Sequence, residues 1–306
     1  MKPGFQRTIP ILTAMILGAL LPGMHGLSWL VRWLVIAMLF LVFLQARLSR
    51  DVLQRSHLVL LAANFAIGIA AWGVGLLVGG RDLALAAFFC GITPTAIAAP
   101  VITGFLKGRV SYVAGAFLLS NLTVAASLPF ILPWVLGHPT PEAFAQVTRS
   151  MGWLVFTPFG LAWLLRTVHP PAVEWPRRLG NVSFGAWVAA IFLITANASN
   201  FLRSQSGLSR TVVLEIAVAS LLICVLSFGL GRLIGGREFA REASQSLGQK
   251  NTTFTIYLAM TYASPLVALG PTFYVIWHNL WNSWQLHQHA NRESLTKPAD
   301  PAPSPP

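Results

Sequence analysis

The residues best placed to do chemistry lie in two short stretches of an otherwise apolar chain. One is Ser244–Thr253, SQSLGQKNTT, with Lys250 at its polar centre. A lysine in such a setting can act as a fixed cation or as a carrier of a proton. The amide of Asn251 and the hydroxyls of Thr252 and Thr253 follow it and can hold the oxygens of an anion. The other stretch is CGITPT at 90–95, where Thr93 and Thr95 flank Pro94. The groups needed to make or break bonds are scarce. Glu215 is the lone acid within the apolar segments, so neither paired carboxylates nor a His/Glu constellation can be assembled. His287 and His289 have no cysteine beside them, and Cys90 and Cys224 read as small buried hydrophobes. GGRD at 79–82 reads as a turn and not as a phosphate loop. The expected chemistry is binding, with no enzymatic reaction, no metal site and no cofactor beyond a coupling sodium ion or proton.

The elements that position these residues follow from composition. Of 306 residues, 55% are hydrophobic and 10% charged, and mean hydropathy is +0.65. An average soluble domain is about 25% charged. A disordered chain and an ordinary soluble enzyme are both excluded, and an all-α polytopic membrane protein is expected, with the lipid bilayer as its partner. Ten apolar segments fit about 20 helical residues each: 8–24, 28–46, 58–80, 83–106, 110–136, 150–165, 179–202, 211–231, 243–263 and 265–286. With the N-terminus inside, fifteen of the 21 basic residues fall on the cytoplasmic side. Only Arg32, Arg81, Arg149, Arg203 and Arg210 fall outside. That bias orients both termini to the cytoplasm and removes nucleic acid as a reason for the net charge of +12. The expected location is the cell (inner) membrane. Residues 288–306, ending KPADPAPSPP, read as a disordered cytoplasmic tail. Trp29, Trp33, Trp153, Trp187 and Trp284 read as an interfacial belt.

Ten spans divide into two five-helix repeats, 1–136 and 150–287, and an odd number per repeat makes the second inverted. The fourth span of each repeat is the unusual one. Pro94 lacks an N–H and clashes with the preceding turn, and Thr93 before it is pushed out of helical geometry. The ninth span is polar through its first half, which is very costly against lipid unless that half faces protein or a cavity. Two helices broken at mid-depth at matching positions form a binding site.

At these residues the chain resembles the bile acid:sodium symporter family. The likeness runs through CGITPTAIAAPVITGFLKGRVSYVAGAFLLSN (90–121) and GQKNTTFTIYLAMTYASPLVALGPTFYVIWHNLWNS (248–283). It implies a panel domain from 8–46 and 150–202 and a core domain from 58–136 and 211–287, with helices four and nine crossing at their breaks. It implies transport of organic anions, usually driven by two sodium ions. It also implies that Asn251 lies in the substrate cavity. Thr93, Thr95, Thr252 and Thr253 flank the two breaks, shaped by Pro94 and Gly248, and with Asn251 they are expected to bind the substrate's carboxylate. His278 and Asn279 match the family's Trp-His-Asn, and we expect them to pack core helices by hydrogen bonds.

The departures from the family are as informative. Positions that hold the first sodium ion in the family read Ala99, Pro100, Val113, Phe117 and Ser246 here, and only Ser246 keeps a side-chain oxygen. The side chains of the second site read Ser246, Asn64 and Lys250. A lysine thus stands where the family holds sodium. The expected function is alternating-access transport of a small organic anion, carboxylate or steroid-like, without sodium and with Lys250 in the ion's place. Two alternatives remain: a conventional sodium-coupled symporter, and a receptor-like protein that transports nothing. A plainer role for Lys250 is to snorkel from a helix start to the cytoplasm.

Overall fold

The computed structural model describes residues 5–45, 53–204 and 210–296. Lys2, Arg47, Arg50 and Lys297, which contribute to the charge bias, lie outside the described residues, as does 297–306. All regular structure described is helical apart from one isolated two-residue bridge. Helix α1 (Phe5–Leu20) ends before a 3-10 turn, Pro22–Leu27, and α2 spans Leu30–Gln45. Then come α3 (Arg55–Val78), α4 (Gly80–Ile92), α5 (Ala98–Phe105) and α6 (Val110–Val135). Helix α7 (Pro141–Met151) leads through a π-turn, Gly152–Phe156, into α8 (Thr157–Val168). A short α9 (Trp175–Arg178) precedes α10 (Gly180–Ser204) and α11 (Arg210–Gly235). The chain closes with α12 (Ala240–Gly248), α13 (Thr252–Tyr262) and α14 (Pro265–Thr296).

Five helical stretches are long and apolar enough to cross a membrane: α3, α6, the run from α7 to α8, α10 and α11. Their outward faces fit that setting. Leu58, Val74 and Leu77 on α3 are exposed, as are Leu214, Leu222, Leu226 and Leu233 on α11. Soluble monomers rarely leave such continuous apolar faces uncovered. Helices α1 and α2 are apolar but shorter, with 16 residues each. Helix α14 continues to Thr296, so the expected tail boundary at 288 lies inside a helix.

The two halves share an order of elements: long helix, half-helix, break, half-helix, long helix. In the first half this is α3, α4, α5 and α6; in the second it is α11, α12, α13 and α14. In each half the long helix packs against the half-helix that follows it. Small residues allow this. A Cβ on Gly91 would sit 2.6 Å from the Gly68 Cα, so α3 and α4 touch backbone to backbone. The ends are tied as well. Glu242 at the start of α12 accepts the Arg109 backbone N–H at 2.7 Å, and Arg241 donates to the Leu106 carbonyl. Thr140 caps α7, its hydroxyl accepting from the Ala143 N–H at 3.2 Å, with Pro141 in the first turn.

Candidate binding site at the crossover

The helical path fails twice, and the two failures meet. Residues 93–97 separate α4 from α5, and 249–251 separate α12 from α13. Thr95 and Lys250 form an antiparallel bridge. The Ala96 N–H donates to the Gln249 carbonyl at 2.7 Å, and the Asn251 N–H donates to the Pro94 carbonyl at 2.8 Å. Each break therefore supplies partners for backbone groups that the other leaves without a helix. This is how an interrupted helix becomes tolerable at low dielectric.

Side chains complete the knot. The Thr95 hydroxyl donates to the Ser246 carbonyl at 2.6 Å, and the Thr95 N–H donates to Ser120 Oγ at 3.1 Å. Asn121 donates to the Thr95 carbonyl at 2.9 Å. Thr93 meets Thr255 hydroxyl to hydroxyl at 2.8 Å and also donates to the Phe89 carbonyl. The Tyr274 hydroxyl donates to the Gly248 carbonyl at 2.9 Å, and Asn282 donates to Gln249 Oε1 at 2.7 Å. Gly248 has no room for more, because a Cβ there would overlap the Phe228 ring.

Lys250 is inside this knot. It is 1% exposed and does not reach the protein surface, so the snorkelling alternative does not hold. Its Nζ donates to Asn64 Oδ1 and to the Gly91 carbonyl at 2.9 Å. Asn64 in turn donates to the Ile92 carbonyl at 2.9 Å, which fixes its amide so that the oxygen faces the ammonium. No ion pair to Lys250 occurs among the described residues. The positive charge is solvated by one amide and one backbone carbonyl, which are ligands of the kind that a hard monovalent cation takes. Cys90 and Cys224 are buried and free, as their apolar context implies.

A cavity of about 740 Å³ lies beside the crossover. Met38, Leu41 and Val42 of α2 and Ser183, Phe184 and Trp187 of α10 form one wall. Val101 and Phe105 of α5 and Ser111 and Phe117 of α6 form the other. The polar end is made by Gln249, Lys250, Asn251, Thr252 and Thr253. The far end reaches Val110 at the start of α6, Pro176 of α9 and Gly180 at the start of α10, beside connections expected on the cytoplasmic side. At the end of α13 away from the crossover, Tyr262 hydrogen-bonds to Ser150 and to the Gln146 carbonyl of α7.

The expected site residues divide between these two environments. Asn251, Thr252 and Thr253 line the cavity, and Lys250, Ser246 and Asn64 lie within or against the knot. Thr93 and Thr95 do not line the cavity. Their hydroxyls are engaged inside the protein, so they hold the crossover together. Ser246 donates to the carbonyl of Glu242 on its own helix at 2.8 Å. Among the described residues, His278 lines the cavity with both ring nitrogens lacking a partner, and the Asn279 side chain bonds only the Val275 carbonyl of its own helix, at 2.7 Å. The hydrogen bonds expected from these two between core helices are thus not present among the described residues. Trp187 lines the cavity, whereas Trp29, Trp33, Trp153 and Trp284 are more than half exposed. Sequence reasoning missed Ser120, Asn121, Gln249, Thr255 and Asn282. A polar residue on an apolar helix was the available signal for Asn121. No group of three or more potential metal ligands occurs among the described residues.

No protein-family model matches the chain, and no curated protein sequence matches it.

Proposed function

We propose that the protein is a secondary transporter of small organic anions with an apolar body, working by alternating access across a membrane. The observation that carries this reading is the crossover of two broken helices at the polar end of a large, otherwise apolar cavity. Helices α5 and α13 both begin there, and helix starts favour negative charge. The apolar walls suit a hydrocarbon body of the carboxylate or steroid-like kind. In this reading the remaining apolar helices also span the bilayer. The ten spans form two inverted five-helix repeats, both termini lie in the cytoplasm, and the chain is a divergent relative of the bile acid:sodium symporters.

The panel, with α2 and α10, and the core, with α5, α6 and the crossover, then move against each other to expose the site alternately. The cavity reaching the 105–110 and 176–180 turns corresponds to an inward-facing state. The Tyr262 contact with α7 closes the other end. Lys250 takes the place of a coupling sodium ion. Its ammonium is tethered, so it enters and leaves with the protein's own motion. Transport is therefore sodium-independent, either uncoupled or coupled to a proton on Lys250.

A thermal-shift screen of organic anions on the purified full-length protein, followed by uptake of the stabilising compounds into proteoliposomes, tests this. Concentration-dependent stabilisation by an apolar carboxylate or sulfonate and saturable uptake of the same compound are expected. Stabilisation with no uptake would make the protein a receptor, and no stabilisation by any anion would remove the proposed substrate class.

A further inference from the structure

Asn121 is buried on α6 and bonded on both sides of its amide. Its Nδ2 donates to the Phe117 carbonyl at 2.8 Å and to the Thr95 carbonyl at 2.9 Å. Both partners are backbone oxygens that can only accept. Turning the amide over would set Oδ1 against two oxygens, so the orientation is forced. Asn121 Oδ1 therefore faces Asn251, and Asn251 must donate to it through Nδ2, at 3.3 Å. If Asn251 turned over, oxygen would again face oxygen.

What remains of Asn251 is its Oδ1 and the second N–H of Nδ2. Asn251 is 9% exposed, lines the cavity and occupies the N-cap position of α13, yet its side chain makes no cap bond. Its Oδ1 carries no hydrogen bond among the described residues. The cavity's polar end thus presents an acceptor at Asn251, next to the donor N–H groups with which α13 starts.

We infer that Asn121 is a positioning residue that fixes the polarity of Asn251, and that the substrate is an anion with a hydrogen-bond donor beside its charged group. A 2-hydroxycarboxylate or an N-acyl amino acid has this arrangement: the carboxylate meets the helix start, and the adjacent O–H or N–H donates to Asn251 Oδ1. An anion lacking the donor leaves a buried acceptor unpaired, and binding sites discriminate strongly against that. The inference rests on the reading of this cavity as an anion site.

The test uses two probe sets on the full-length protein, with affinities from thermal-shift titration. One set is 3-phenyllactate against 3-phenylpropanoate, which lacks the hydroxyl and is smaller, so poor fit cannot explain weaker binding. The other is N-octanoylglycine against its N-methyl analogue. The wild type should prefer the donor-bearing member by roughly tenfold or more. Asn251→Ala should bring both ratios towards one by removing the acceptor. Asn121→Ser should do the same by letting Asn251 rotate, the ratio within each set being the readout. If Asn121→Ser does not fold, the wild type and Asn251→Ala comparison still decides. Equal affinities within both sets in the wild type, or ratios kept in Asn251→Ala, would overturn the inference and leave the anion site standing. If no probe binds at all, the anion-site reading itself fails and this inference fails with it.

Discussion

The ammonium of Lys250 and the amide of Asn64 form one unit, and the structure predicts that breaking it from either side has unequal consequences. Asn64→Leu removes one of the two oxygens that solvate the charge and leaves only the Gly91 carbonyl. It also removes the donor to the Ile92 carbonyl. A hydrogen bond to a charged group contributes about 1.5–3 kcal/mol and a neutral one about 0.5–1.5 kcal/mol, so the loss should be about 2–4 kcal/mol. Lys250→Met instead removes the charge. It leaves two acceptors unpaired, at about 1–3 kcal/mol each. It also relieves the burden of a charge at depth, about 2.5–3.5 kcal/mol on insertion scales. Those terms nearly cancel, so Lys250→Met should be close to neutral. The double variant should then be more stable than Asn64→Leu alone, because no charge remains to be solvated. Denaturation of the four proteins in one detergent, read as a double-mutant cycle, measures this. The reasoning is refuted if Asn64→Leu is no less stable than Lys250→Met, or if the two effects simply add.

Other perturbations test the crossover and the cavity. Thr95→Val keeps the shape but loses the donor to the Ser246 carbonyl. It should reduce stability by about 1–2 kcal/mol and loosen the amide protons of 95–97 and 249–251 in hydrogen exchange. Gly248→Ala places a methyl group in the Phe228 ring. It should cost about 1–3 kcal/mol in denaturant unfolding, and Phe228→Leu in the same chain should recover most of that. Ser183→Trp on the α10 wall should fill part of the cavity, abolishing ligand stabilisation while leaving the melting temperature of the unliganded protein nearly unchanged.

Much of this architecture could be read from residue order. Pro94 marked the first break because it lacks the N–H, crowds the preceding turn and stands among Gly91, Thr93 and Thr95, whereas Pro129 and Pro133 are accommodated within α6. The polar run 244–253 marked the second, since no lipid-facing helix tolerates it. Lys250 stood out for the same reason. What the residues do at the breaks was less legible. Threonine hydroxyls suit an anion and a neighbouring backbone carbonyl equally well, and only the meeting of the two chains assigns Thr93 and Thr95 to the second role. Asn121 and Asn282 act over separations of 26 and 33 residues, for which no local pattern codes. The ends of α1 and α14 differ from the expected spans because helix termini depend on packing as well as on hydropathy.

The central claim is that Lys250 stands in for a coupling cation. Initial rates of anion uptake into proteoliposomes, with external sodium replaced by choline at several pH values, test it most directly. The account predicts rates that are unchanged on removing sodium in the wild type, and substrate binding that is altered in Lys250→Gln. A steep dependence of wild-type uptake on sodium would contradict it.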